Sequence, residues 1–135
     1  MTVFVDTSGL YSLLDADEKN HVAAGNTWVA LLESGQRLFT TNYIVVETCS
    51  ILHRRLGIPA VRRFLEDILP AILVDWVDIT IHTAGVNSVL VSSRRGPSLV
   101  DCISFIAMRR FGITTAFTFD DHFRRQGFDC RPAID

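Results

Sequence analysis

An α/β fold, with a mainly parallel sheet covered by helices on both faces, is the architecture to expect of this chain, for three reasons. Short β-branched or aromatic runs alternate with helical ones along its whole length, the pattern of βαβ units. With 135 residues, 48% hydrophobic and 21% charged, it has the size of about one domain and can bury a core without staples. No linker, low-complexity tract or internal repeat interrupts it, so a single domain over residues 1–135 is expected.

Residues 2–5 form the first strand, a run of threonine, valine and phenylalanine that stops at Asp6, and residues 7–14 have helical character. A second helix is expected over 20–34, where Val22, Ala23, Trp28, Val29, Leu31 and Leu32 precede Gly35 as a stop. Residues 38–41 are a second strand, after which Asn42 is placed to cap a helix running to Leu56. Ile58-Pro59, with proline near the first turn, starts a further helix that ends before Pro70. Residues 71–77 read as a third strand, 81–95 as a weaker helix and 99–111 as a helix apolar nearly all round. Residues 115–119 are the fourth strand, leading into Asp120 and a short helix, and 128–131 a fifth.

The formal net charge of -2 excludes a protein that grips nucleic acid by bulk positive charge, so any such contact must be local. The 13 basic residues include one lysine, Lys19, and five Arg-Arg pairs, at 54-55, 62-63, 94-95, 109-110 and 124-125. Four pairs precede a glycine closely (Gly57, Gly96, Gly112 and Gly127), which suits the last turn of a helix, where cations meet the negative end of the dipole. Phosphate binding is the other use open to each pair, and arginines near a cleft are suited to it by their bidentate fork. Cys49, Cys102 and Cys130 are odd in number, widely spaced and never C-x-x-C, so buried thiols are expected, with no disulfide framework or zinc site. No apolar run is long enough for a bilayer and the start lacks a signal-peptide pattern; a soluble, cytoplasmic chain without membrane contact is expected.

In a parallel α/β sheet, ligands bind outside the carboxyl ends of the strands, so acids at strand-to-helix turns come first. Asp6 follows the first strand and Asp120 the fourth, although aspartate is also a good N-cap. Asp101 stands three residues after Ser98, which mimics a capping box, but the helix it starts is buried enough to point its first turn inward. Glu47 has no capping role: it falls within the stripe of Ile44, Thr48 and Ile51, on the packing side of its helix. An arginine partner or a shared cation is needed there. Four carboxylates in one cleft oppose each other's ionisation, and Mg²⁺ or Mn²⁺ removes that cost while activating water and neutralising charge on a phosphodiester.

The segments Val3-Phe4-Val5-Asp6-Thr7-Ser8, the helical Glu47, Ser98-Leu99-Val100-Asp101-Cys102-Ile103-Ser104-Phe105 and Thr118-Phe119-Asp120-Asp121-His122-Phe123 together resemble PIN-domain nucleases, and among them VapC-type toxins of toxin-antitoxin modules. The likeness runs over essentially the whole chain. It implies a three-layer α/β/α sandwich, Mg²⁺- or Mn²⁺-dependent endoribonuclease activity on an RNA substrate, and a small antitoxin protein that blocks the site. Asp6, Glu47, Asp101 and Asp120 match the family's acidic quartet, with Asp6, Asp101 and Asp120 as metal ligands, Glu47 acting through water, and Thr7 or Ser8 as the hydroxyl beside the first acid. Asp121 is an additional acid next to the quartet, and Asp120, directly after the strand, is the one expected to reach the metal. His122 is read as structural. The resemblance and the apolar excess also imply a homodimer.

Two other strand-then-aspartate families do not fit: a haloacid-dehalogenase-like phosphatase needs a second aspartate where Ser8 stands, and it and receiver domains need a late lysine that is missing. The alternative from another class is a nonenzymatic domain that keeps the fold to hold RNA or protein.

Overall fold

The structure, a computed structural model, describes residues 1–133; Ile134 and Asp135, the end of the expected 1–135 domain, lie outside the described residues. Five strands, β1 (Thr2–Val5), β2 (Arg37–Thr41), β3 (Leu73–Asp75), β4 (Thr115–Phe117) and β5 (Asp129–Arg131), form one sheet in the order β3-β2-β1-β4-β5, every pair parallel. Seven α-helices connect them: α1 (Thr7–Leu14), α2 (His21–Glu33), α3 (Asn42–Leu56), α4 (Ile58–Arg63), α5 (Ile79–Leu90), α6 (Leu99–Arg110) and α7 (Asp121–Arg125). The chain steps outward from β1 to β2 to β3, then returns to the other side of β1 for β4 and β5. Right-handed crossovers therefore put α1 to α4 on one face and α5 to α7 on the other, the expected three layers. The strand order reverses between β1 and β4, which opens a crevice at their carboxyl ends.

Side chains alternate across the sheet. Phe4, in register with Phe39 of β2 and Ala116 of β4, packs its ring against Phe39 and Phe123, and Phe123 meets Phe105 of α6 edge-on at 4.9 Å between centroids. On the opposite face Phe117, in register with Val5, meets Trp28 of α2 and lies under Gly9 of α1. Val3, Phe4, Val5, Ala116 and Phe117 are fully buried, as central strands covered on both faces require. Among the described residues no helix is long and apolar enough to cross a membrane.

Several boundaries differ from the sequence expectation. Thr41, rather than Asn42, caps α3: its hydroxyl accepts from the Ile44 N–H, while Asn42 Oδ1 accepts from the Val77 N–H at 2.8 Å and ties α3 to the end of β3. The helix expected from Ile58 stays α-helical only to Arg63, widens to a π turn at Phe64–Ile68 and tightens to a 3-10 turn at Leu69–Ala71, where Pro70 has no N–H to continue an α ladder. The third strand is limited to Leu73–Asp75, opposite Phe39–Thr41.

The weaker helix begins at Ile79, capped by Asp78, and ends at Leu90, because residues 92–97 offer no large apolar side chain for the sheet to bury. The pair Arg94-Arg95 consequently lies in a loop and terminates no helix. The other three glycine-followed pairs do close helices, with Gly57, Gly112 and Gly127 at φ 86, 68 and 92 degrees. Cys102 is buried and Cys49 and Cys130 are half-buried, all three as free thiols.

Candidate active site

Each sequence-selected acid leaves a different element. Asp6 follows β1 and caps α1, its Oδ2 accepting from the Ser8 N–H; Asp120 caps α7, its Oδ1 accepting from the His122 N–H at 2.9 Å. Asp101 closes a capping box with Ser98: the Asp101 N–H donates to the Ser98 hydroxyl at 3.2 Å, and the Ser98 N–H donates to Asp101 Oδ2 at 3.1 Å. Glu47 sits mid-helix on α3, half-buried. The capping roles are real, and they do not exclude a second role. Asp6, Glu47, Asp101 and Asp120 all line one cavity of about 300 Å³, together with Thr7, Ser8, Tyr11, Ile51, Arg55 and Ser98.

The three aspartates share a bonding pattern. Among the described residues, Asp6 uses Oδ2 alone, which accepts the Ser8 hydroxyl at 2.7 Å and the Thr118 hydroxyl at 2.9 Å. Asp101 uses only Oδ2, toward Ser98, and Asp120 only Oδ1, toward the His122 backbone and Nδ1. One oxygen of each is thus fixed by the protein and the other is uncommitted beside the cavity. Ser8 also accepts from the Phe119 N–H at 2.9 Å, so one hydroxyl links the turn after β1 to the turn after β4. The Thr7 hydroxyl takes a bond from Thr48 at 3.2 Å and lines the cavity beside Glu47.

The electrostatics follow from this crowding. Burial pushes Asp6 from 3.8 up to about 6; the Ser8 and Thr118 hydrogen bonds oppose the rise, and Asp101 and Asp120 add to it. Asp101 also stands at about 6, through burial and then through Asp120 and Glu47, against the Ser98 bonds. Glu47 is raised by burial above all, with Asp6 and Asp120 contributing. Like charges in a partly dry cavity produce these shifts. A dication would reverse them, and an all-oxygen donor set suits a hard ion such as Mg²⁺ or Mn²⁺. The residues therefore fit a divalent metal.

Asp121 is not part of this cavity. It pairs with Arg124 and with Arg125, the latter at 2.8 Å, and lines a neighbouring cavity of about 350 Å³ that shares only Asp120 with the first among the four acids. His122 places a ring nitrogen within 4.8 Å of carboxylate oxygens of both Asp101 and Asp120. Both its nitrogens have protein partners, Nδ1 at Asp120 Oδ1 and Nε2 at the Arg95 carbonyl (3.1 Å), which join α7 to the 91–98 loop. Arg55, which lines the cavity, and Thr118, which bonds Asp6 from outside it, are the contributions that sequence reasoning passed over. Thr118 carried a signal in its place between the fourth strand and Asp120, and Arg55 one in its position two steps of four along α3 from Glu47.

Residues 3–129 match the family model described as PIN domain. The chain is 30% identical over 132 residues to the 23S rRNA-specific endonuclease VapC20 of Mycobacterium tuberculosis, in strains CDC 1551 / Oshkosh and ATCC 25618 / H37Rv, with 96% of this chain and 98% of the relative covered. The crystal structure of Mycobacterium tuberculosis VapC20, a sarcin-ricin loop cleaving toxin, superposes with a TM-score of 0.82 at 29% identity, covering 93% of this chain and 95% of that one. FitAcB from Neisseria gonorrhoeae shares the fold, with a TM-score of 0.66 at 14% identity over 96% of each chain.

Proposed function

The chain belongs to the PIN-domain family, and from that premise we propose that it is a VapC-type toxin, a divalent-metal-dependent endoribonuclease with Asp6, Glu47, Asp101 and Asp120 as its catalytic centre. The observation that carries this is the trio of uncommitted aspartate oxygens beside Glu47 in one cavity, at the sheet's switch point. Asp6, Asp101 and Asp120 would hold Mg²⁺ or Mn²⁺, with Glu47 completing the set through a water. When bound, the ion lowers the pKa of attacking water and neutralises charge on the phosphodiester.

The chain's own residues prepare for that. Ser8 and Thr118 fix the Asp6 carboxylate from behind, Ser98 fixes Asp101, and His122 fixes Asp120, so little side-chain ordering remains when the substrate arrives. Glu47 lies beside Thr7 in the cavity, where burial and the neighbouring acids hold its carboxyl above the ordinary value.

The likeness to VapC20 supports 23S rRNA as the substrate. The antitoxin reading is supported by an apolar groove of about 330 Å³, lined by Asn42, Tyr43, Val46 and Val100, that shares Glu47 with the acid cavity. A peptide segment laid there would cover the site. The deciding experiment is incubation of ribosomal RNA with the purified chain, with Mg²⁺ and with EDTA, followed by mapping of new 5' ends. Cleavage that needs the ion is expected. Cleavage undiminished in EDTA, with contaminating nuclease excluded, removes the metal reading, and RNA binding without cleavage under any divalent ion favours the nonenzymatic alternative.

A further inference from the structure

We propose that Arg55, held against the Tyr11 ring at the edge of the carboxylate cavity, forms a phosphate subsite that binds an RNA backbone phosphate neighbouring the scissile one. This rests on the ribonuclease reading and extends it to a group outside the acidic quartet. The need for such a group is electrostatic. The chain carries a net charge of -2 and concentrates four carboxylates where a polyanion must enter, so affinity has to come from cations placed locally. Among the described residues lining that cavity, Arg55 is the one cation.

Its partners are consistent with a guanidinium held ready for an anion. Arg62, Arg110, Arg124, Arg125 and Arg131 are each in an ion pair with a carboxylate; among the described residues Arg55, like Arg37, Arg54, Arg63, Arg94, Arg95 and Arg109, is in none, and of these it alone lines the acid cavity. Its guanidinium carbon lies 5.3 Å from the centre of the Tyr11 ring, and the Tyr11 hydroxyl donates to Asp15. Tyr11 is buried, so the platform is rigid. A guanidinium has five donors in a planar fork; contact with a ring face leaves them for a bidentate grip on phosphate. Tyr11 belongs to α1 and Arg55 to α3, so the contact exists only because these two helices pack together.

Glu47, Ile51 and Arg55 follow one another at steps of four along α3, and all three line the cavity. Eight residues of helix rise roughly 12 Å, which sets the Arg55 backbone well along α3 from Glu47, so that its guanidinium enters the cavity from the side away from that acid and suits a neighbouring phosphate. The competing account is that Arg55 only complements the α3 dipole before Gly57. Arg54 has the same place in that turn and does not line the cavity, which makes it the matched control.

The test compares wild type, Arg55→Met, Arg55→Lys and Arg54→Met in Mg²⁺-dependent RNA cleavage at several salt concentrations, with melting temperature and its Mn²⁺-induced shift read in parallel. Arg55→Met should raise KM about tenfold with little change in kcat, and lower the slope of log(kcat/KM) against log[salt] by about 0.7, the value for one contact to a single strand. Arg55→Lys should keep the slope and recover part of KM, and Arg54→Met should match wild type. The Mn²⁺ shift should be unchanged in all four. An unchanged slope and KM in Arg55→Met, or equal effects of the two methionine variants, overturns the proposal; so does loss of the Mn²⁺ shift, which would place Arg55 in the acid site itself. Should wild type leave RNA intact, the ribonuclease reading falls, and the salt slope of RNA binding by the same proteins still decides Arg55.

Discussion

Replacing Asp101 with asparagine changes one heavy atom in a side chain that both completes the Ser98 capping box of α6 and shares a cavity with three other carboxylates. Asparagine caps about as well as aspartate, so a residue that only caps should lose little stability and no activity. If Asp101 holds metal, Asp101→Asn should lower cleavage at least about 100-fold while metal-free stability holds or rises, because a like-charge repulsion is gone. Thermal melts with and without Mg²⁺, paired with RNA cleavage, separate the two, and full cleavage by the variant removes Asp101 from the site. The pH dependence has a definite sign. Asp6 and Asp101 have folded pKa values of about 6 against 3.8, so between those values the native chain binds more protons than the unfolded one. Their contribution to metal-free stability is therefore full below 3.8 and is lost as pH rises through about 6. A metal must displace those protons, so the Mg²⁺-induced rise in melting temperature should be small at about pH 5 and grow toward about pH 7.5. Equal shifts at both values would show that the raised acids are not the ligands.

Helix α1 lies so close to β4 that only glycine fits at position 9. A Cβ there would stand 2.9 Å from Phe117 Cδ2 and 3.0 Å from the Phe117 carbonyl oxygen, and backbone cannot swing aside as a side-chain tip can. Gly9→Ala should cost about 1–3 kcal/mol as α1 is pushed off the sheet. Cleavage should fall with it, because the Ser8 and Thr118 bonds to Asp6 span the same two elements. Gly25→Ala, in the middle of α2 with nothing within 4 Å, should instead gain about 0.5–1 kcal/mol. Urea melts of both variants measure this, and a Gly9→Ala chain as stable as wild type would contradict the close approach. The same elements mark how far sequence reasoning reaches. Periodicity and caps located β1, α1, α3 and α6 to within a residue or two because their signals are local: Asp6 after a valine, Ser98 with Asp101, an arginine pair before Gly57. The π turn at Phe64–Ile68 was not foreseeable in that way, since no cap or break in periodicity marks it; the early end of α5 was legible in residues 92–97, which hold no large apolar side chain.

The four acids were selectable from the chain alone, although positions 6, 47, 101 and 120 are far apart in it, because a parallel sheet collects its strand-end turns at one edge. The side of α3 that Arg55 shares with Glu47 was legible too, but its contact with Tyr11 was not, since that depends on α3 packing against α1, which no local pattern encodes. Association stands between these cases: apolar content suggested it, and the fold exposes one apolar surface suited to it. Strand β3 is an edge of the sheet, and within seven residues of its start Leu73, Trp76 and Ile79 are 67%, 77% and 74% exposed. An exposed tryptophan beside two aliphatic side chains on a sheet edge is the composition of an interface centre rather than of a solvated surface. Light scattering at micromolar concentration should give about twice the 15.1 kDa chain mass. Trp76→Arg should return the chain to a monomer and leave its melting temperature as a monomer unharmed, since the ring it removes is largely exposed among the described residues. A wild type that is monomeric at that concentration counts against the homodimer, and a dimer indifferent to Trp76→Arg moves the interface to another surface, such as the Val22, Val29 and Leu32 side of α2.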